Sequence, residues 1–421
     1  MIVTLPQRRG IDLTVAAPPS KSYTHRALIA AALARGSSTI VNPLMADDTK
    51  LTIAALEKLG VAIGTGERSV TVEGCDGAFS CPPGTVLDLD NSGTTLRLLA
   101  SSALLADHPV TLTGSARMQE RPVGPLADTL SALGGKIAFA KETGFPPVTI
   151  GGNFLGGSVA IDGSVSSQFA SSILMAAPYA QNPVSLEITG TPASQSYLDI
   201  TAGVMTDFGA VIWREGYKMF DVSNCNRYTG RSYVIEGDYS SASYFFALAA
   251  ICGGKVTVTG LNPDSVQGDR FFLSALSGMG CQVTYARDSV TVVHAGHLSG
   301  ITIDMSSAPD TVQTLCMVAA AATTPTVITG IGHLKYKESD RITVTAERLR
   351  QLGATVNTDN DRIIIQPAPL HGGTIDPAND HRMAMSFAVL GLRIGGVSIT
   401  GAECVNKSFP GFWDAIAGVM E

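Results

Sequence analysis

The densest chemistry in the chain is the pentapeptide KESDR at positions 337–341, where four charged side chains fall within five residues. The surroundings make this stand out, because only 15% of the 421 residues are charged. The spacing of Lys337 and Arg341 is i, i+4, which predicts a shared helical face. Glu338 then sits beside two cations, a setting that favours its ionised form or holds it for proton transfer. Further cations fall where helices are expected to start: Lys21, Arg26, Arg97, Arg121, His381, Arg382 and Lys407. A cation at a helix N-terminus opposes the macrodipole, at a cost of about 0.3–1 kcal/mol. A bound anion reverses that sign, since exposed N–H groups, dipole and cation then act on one charge. Arginine forks also match the paired oxygens of carboxylate and phosphate. The polar residues interleaved with these cations, such as Asn91-Ser92-Gly93-Thr94, Ser166-Ser167-Gln168 and Asp238-Tyr239-Ser240, are good N-caps. Capping accounts for Asp238 and Ser240 but not for the cations. A small anionic ligand is the reading that does.

Several function classes lose support. The net charge of −7 repels polyanions, and there is no basic run, so nucleic-acid binding is not expected. No phosphate loop, GxGxxG turn, HExxH helix or GxSxG elbow occurs. The seven cysteines form no CxxC pair, so reduced thiols, no metal site and no cofactor are expected. His294 and His297 have no acidic or cysteine companions nearby in sequence and read as surface residues. The apolar stretches 242–252 and 315–322 are shorter than the roughly 20 residues a membrane helix needs. A cytoplasmic monomer that does not contact membranes is expected.

The elements that must position these residues follow a repeat. Strand endings recur as TIVN (39–42), TLTG (111–114), EITG (187–190), TVTG (257–260), VITG (327–330) and SITG (398–401), 70 to 76 residues apart. Between them, apolar-Gly pairs end at Gly60, Gly134, Gly209, Gly280 and Gly353, 71 to 75 residues apart. Glycine there fits a helix C-cap in the left-handed region. The chain therefore reads as about six copies of a unit ordered helix, strand, helix, strand, strand. The first helix of a unit is apolar nearly all round, as in 241–252, and belongs inside; the second is amphipathic, as in 51–59. An α/β architecture with buried inner helices and outer sheets follows, with a solenoid as the alternative.

Read together, these residues resemble the 5-enolpyruvylshikimate-3-phosphate synthase family of enolpyruvyl transferases. The resemblance rests on PPSKSYTHRALIAAAL (18–33), NSGTTLRLL (91–99), ERPVGPL (120–126), SSQ (166–168), SQSYLDIT (194–201), EGDYSSASYF (236–245), APD (308–310), KESDR (337–341), NDHRMAM (379–385) and NKSFPGFW (406–413). It covers almost the whole chain in family order. It implies an inside-out α/β fold of two similar domains, each of three repeats: 1–17 plus 236–421, and 18–235, with a hinge at the two crossings. Helix N-termini would face the cleft. The implied reaction carries the enolpyruvyl group of phosphoenolpyruvate to the 5-hydroxyl of shikimate-3-phosphate, through a tetrahedral ketal, on the route to chorismate and aromatic amino acids.

By position, the resemblance assigns shikimate-3-phosphate to Lys21, Ser22, Arg26, Ser166, Ser167, Gln168, Ser194, Asp310 and Lys337. Its phosphate would lie near Ser166, Ser167, Ser194 and Lys337, and its carboxylate near Arg26. Phosphoenolpyruvate is assigned to Lys21, Gly93, Arg121, Gln168, Arg341, Arg382 and Lys407. Asp310 is the candidate acceptor of the hydroxyl proton and Glu338 the carrier of the C3 proton, with Lys21 assisting. Arg97 is expected to support the Gly93 loop without being a main ligand. Leu98 and His333 depart from many relatives, which have Pro and Asn there. The sister family acting on UDP-N-acetylglucosamine typically has Lys-Asn-Ala where this chain has Lys21-Ser22-Tyr23, and a reactive Cys or Asp in a loop that here, over 114–124, has neither.

Overall fold

The computed structural model describes residues 1–190 and 192–420. Eleven helices of eight or more residues lie among them: α1 (Lys21–Leu33), α2 (Asp47–Lys58), α3 (Gly93–Ser102), α4 (Gly124–Ala132), α5 (Ser167–Ala176), α6 (Ser196–Asp207), α7 (Tyr239–Cys252), α8 (Phe271–Gly278), α9 (Val312–Ala320), α10 (Arg341–Gln351) and α11 (His381–Ile394). The odd-numbered helices begin the repeats and lie inside. Every residue of α7 is buried, which only a helix surrounded by protein can accommodate without exposing its apolar surface. The even-numbered helices are one-sided: α10 buries Arg341, Ile342, Thr345, Ala346 and Leu349 and leaves the rest to solvent. Gly60, Gly134, Gly209, Gly280 and Gly353 have φ between +89° and +107°. Each ends an outer helix in the left-handed conformation that a side chain would strain.

The strands form one three-stranded and five four-stranded sheets. Each four-stranded sheet has the same form. In one, Val86–Asp88 runs parallel to Val110–Thr113, which is antiparallel to Val148–Gly152, itself antiparallel to Gly135–Phe139. Burial alternates along Val110–Thr113, so one face packs on the helices and the other meets water. The repeat therefore holds one element more than its sequence pattern suggested. A strand precedes each inner helix, and in four of the six repeats it has three residues, as in Val86–Asp88 or Thr302–Asp304, too few to show an alternation.

Contacts divide the chain into two compact units, Met1–Pro18 with Glu236–Glu421 and Pro19–Ile235. The first strand to precede an inner helix, Ile11–Ala16, pairs with Gly254–Thr259 of its own unit, 238 or more residues away. Ser232–Val234, the last strand before α7, pairs with Arg35–Val41, and both lie in the unit Pro19–Ile235. Within the first unit α7, α9 and α11 pack on one another; within the second α3 packs on α1 and α5. Small hydroxyl residues sit on these inner faces, with Ser101 and Ser172 bonded at 2.8 Å and Ser243 and Thr314 at 3.2 Å. Among the described residues no helix is long and apolar enough to cross a membrane.

Candidate active site

In the unit Met1–Pro18 plus Glu236–Glu421, the charged residues converge on one guanidinium. Arg341 opens α10 and is 1% exposed. It donates from Nε to Asp380 Oδ2 at 2.8 Å, from Nη1 to Asp310 Oδ1 at 3.1 Å and from Nη2 to Glu338 Oε2 at 2.9 Å. Burial opposes its charge, but Asp380, Glu338 and Asp310 outweigh that and raise its pKa. Burial likewise pushes the Asp380 carboxyl up, and Arg341 beside it holds it below the usual carboxylate value. Arg382, in the first turn of α11, donates to Asp310 twice: to Oδ2 at 2.8 Å and to the backbone oxygen at 2.9 Å. Asp310 thus lies between two arginines, and Glu338 shares one of them.

The pentapeptide 337–341 does not form one helical face. Asp340 is the N-cap of α10 and accepts from Thr343 N at 3.2 Å and Thr343 Oγ1 at 2.9 Å. Lys337, Glu338 and Ser339 therefore lie in the preceding turn. The cap wins because Asp at this place satisfies N–H groups that a longer helix would otherwise bond to carbonyls. Lys337 instead follows the turn Gly332–Tyr336, which carries His333. Burial and the neighbouring Lys337 charge lower the His333 pKa to about 3, so the ring is neutral. Its Nε2 is buried without a hydrogen-bond partner. Lys407 ends the turn Ala402–Lys407.

Asp269, in the turn Gly268–Arg270 ahead of α8, is a further participant. It is 5% exposed and accepts a hydrogen bond from Ser240 Oγ. Burial first, then the charge of Asp310, pushes it up to about 7, against the pull of Arg382. A folded-state value raised above the unfolded one stabilises fully below the unfolded pKa, near 3.8, and is lost as pH rises through the folded value. Asp269→Asn cannot ionise and escapes that loss. The Tm of the variant minus that of the native protein is expected to be larger at pH 8 than at pH 5. A difference that does not change with pH would show that Asp269 does not titrate in this range.

The unit Pro19–Ile235 holds the remaining candidates. Lys21 begins α1, and its Nζ donates to Asp48 Oδ2 at 3.0 Å; Asp48 is 1% exposed at the start of α2. Arg121 is buried and donates to Asn91 O at 3.3 Å and Oδ1 at 3.4 Å. A Cβ at Gly93 would fall 2.4 Å from Arg121 Nη2, so this close approach requires glycine. Ser166 caps α5, accepting from Gln168 N at 3.3 Å, with Ser167 as the first helical residue. Gln168 donates from Nε2 to Thr94 Oγ1 at 3.0 Å and accepts from Arg97 Nη1 at 3.1 Å. Arg97 also reaches the Pro122 carbonyl at 3.2 Å and lies over the Phe169 ring. It therefore braces Gln168 and the residue next to Arg121, and through Thr94 only indirectly the Gly93 loop.

Arg26 lies deeper than the others. Its Nε donates to Thr201 Oγ1 at 2.8 Å, Nη1 to Ser22 O at 3.0 Å, and Nη2 to Ser171 Oγ at 3.4 Å and Tyr197 O at 3.3 Å. Burial lowers its pKa to about 10. Of its five N–H groups, these bonds leave one on Nη1 for a further acceptor. Ser194, ahead of α6, is buried and adopts φ +59°. The companions that sequence reading did not single out as site residues, Asp48 and Asp380, are legible only once α2 and α11 are placed.

A family model for EPSP synthase (3-phosphoshikimate 1-carboxyvinyltransferase) matches residues 7–416. A 3-phosphoshikimate 1-carboxyvinyltransferase of Methanoregula boonei is 76% identical over 421 residues, covering all of both chains. One from Serratia proteamaculans is 40% identical over 415 residues, 98% of this chain and 97% of that one. The solved structure of EPSP synthase from Acinetobacter baumannii superposes with a TM-score of 0.81 at 29% identity, covering 99% of this chain and 97% of that chain. With three carboxylates fixed on one buried arginine and cations at the helix starts, the chain belongs to the EPSP synthase family.

Proposed function

We propose the division of labour by which this chain carries out its family's reaction, the transfer of the enolpyruvyl group of phosphoenolpyruvate to the 5-hydroxyl of shikimate-3-phosphate with release of phosphate, a step of aromatic amino-acid biosynthesis. The enzyme acts as a cytoplasmic monomer. Lys21, Ser22, Arg26, Ser166, Ser167, Gln168, Ser194, Asp310 and Lys337 bind shikimate-3-phosphate, with neutral His333 offering its buried Nε2 nearby. Lys21, Gly93, Arg121, Gln168, Arg341, Arg382 and Lys407 bind phosphoenolpyruvate.

The observation that carries the reading is the sharing of Arg341 by Asp310 and Glu338 at 3.1 and 2.9 Å. One guanidinium thereby fixes the separation of two carboxyl groups, as acid–base chemistry on adjacent atoms requires. The 5-hydroxyl oxygen bonds to C2 of phosphoenolpyruvate, and its proton passes to Asp310. Protonated Glu338 delivers its proton to C3, and the tetrahedral ketal phosphate forms. The C2–O bond to phosphate then breaks with the electron pair leaving on phosphate, where Lys21 offsets the charge. Glu338 takes back a C3 proton as the enol ether double bond forms, and the hydroxyl proton departs with phosphate. Continuous measurement of phosphate tests the assignment. Release is expected only when both substrates are present; equal release from phosphoenolpyruvate alone would overturn it.

A further inference from the structure

A chain of buried hydrogen bonds runs between the starts of three helices and has no part in the reaction as described above. His25 on α1, Thr52 on α2, Thr95 on α3 and Ser92, the N-cap of α3, are each 0% exposed. His25 Nδ1 lies 2.7 Å from Thr52 Oγ1, Thr52 Oγ1 2.8 Å from Thr95 Oγ1, and Thr95 Oγ1 2.8 Å from Ser92 Oγ. Thr95 also donates to the backbone oxygen of Asp48 at 3.3 Å. The Asp48 carboxylate meanwhile holds Lys21 at 3.0 Å. Ser92 is followed directly by Gly93, on which Arg121 rests. The array therefore joins Lys21 and Gly93 through bonded residues up to 47 positions apart in sequence and on three separate elements.

The proton count gives the array a direction. A carbonyl oxygen only accepts, so the single hydroxyl proton of Thr95 goes to Asp48. Thr95 must then accept from both Thr52 and Ser92. Thr52, having donated to Thr95, can only accept from His25. The His25 ring consequently carries a proton on Nδ1. Every hydroxyl proton in the array is placed once that one is placed. Removing the donor at position 25 leaves a buried Thr52 lone pair unmatched, and a fully buried polar network is sensitive to one missing member.

We propose that His25 is a positioning residue for the phosphoenolpyruvate subsite, acting through Thr52, Thr95 and Ser92 to fix the Gly93 backbone against Arg121. The inference rests on the assignment of Gly93 and Arg121 to phosphoenolpyruvate. Mere satisfaction of buried hydroxyls would matter for stability alone. A positioning role raises the KM of one substrate and spares the other.

Steady-state kinetics on Thr95→Val, which keeps the side-chain shape and removes the hydroxyl, separates these roles. The KM for phosphoenolpyruvate is expected to rise about tenfold, in line with the loss of one well-placed buried hydrogen bond, while the KM for shikimate-3-phosphate stays within about twofold. His25→Leu is expected to reproduce that split, and His25→Gln, which retains an N–H donor, to restore most of it. Equal changes in both KM values, or no change in either, would overturn the proposal. If Thr95→Val does not fold, nitrogen-15 spectra of histidine-labelled native enzyme decide the matter: a protonated Nδ1 on His25 supports the array, and a proton on Nε2 alone overturns it. A native enzyme with no saturable dependence on phosphoenolpyruvate would instead overturn the assignment of the subsite itself.

Discussion

Glu338→Gln is expected to lower kcat by about 10²–10⁴-fold, the usual contribution of a general acid–base group, while changing the affinity for shikimate-3-phosphate much less. Glutamine retains the shape of the side chain and can still accept the 2.9 Å bond from Arg341 Nη2. It cannot give or take the C3 proton. Deuterium incorporation at C3 in D₂O should therefore fall by the same factor as turnover. The competing role for Glu338 is electrostatic alone, as one of three carboxylates compensating Arg341. That role predicts altered substrate affinity with kcat near normal. A Glu338→Gln enzyme that turns over normally would leave Lys21 as the chief proton carrier.

Arg341→Met is expected to cost about 3–5 kcal/mol of stability at pH 7, the loss typical when one partner of a buried ionic group is removed. Methionine matches the length and apolar stem of arginine but leaves Asp380, which is 0% exposed, without its bidentate partner. The pH dependence carries a definite sign. In the native protein Asp380 is held below its ordinary value, so its stabilisation is present above the unfolded pKa near 3.8 and is lost as pH falls through the folded value. In the variant burial is no longer outweighed, and Asp380 takes up a proton more readily. The stability gap between the two proteins should be widest near neutrality and narrow as pH falls toward 4 and below. Urea titrations at a series of pH values measure it. A gap that widens on acidification would show that the arginine is not what depresses Asp380. Activity should also fall, because Asp310 and Glu338 lose the group that sets their separation.

The long-range plan of this chain was legible because it is repeated. Gly60, Gly134, Gly209, Gly280 and Gly353 are needed by the backbone alone, whatever packs around them, and their positive φ values follow from local sterics. The inner helices were legible for a similar reason: SASYFFALAAIC offers no polar face, so it can only be inside. The two carboxylates proposed as catalytic were named through a resemblance alone, since nothing in the spacing of positions 310 and 338 shows that both reach Arg341. Local pattern failed where two local solutions competed, as at 337–341, where a cap replaced the expected turn of helix. It failed also where the contact lies between elements. Asp269 is an ordinary helix-start aspartate until burial, and then Asp310, 41 positions later, raise its pKa. His25, Thr52 and Thr95 are ordinary small or polar residues until three helices bring them to within 2.8 Å.

The two strands at the start of the chain have a consequence for how the protein comes off the ribosome. Among the described residues, Ile2–Leu5 pairs only with Val397–Thr400, and Ile11–Ala16 only with Gly254–Thr259. The intervening unit, Pro19–Ile235, is continuous and includes its own closing strand, Ser232–Val234. During vectorial synthesis that unit can complete its sheets while the first 18 residues still trail unpaired. At about 5–20 residues per second, the leading segment waits tens of seconds for its last partner to emerge. Its strand edges stay open until then, and an open edge is a template for pairing with another chain. Completion of the discontinuous unit is thus a late event that waits on the synthesis of residues 397–400, and closure of so long a loop should make it the slow phase of renaturation.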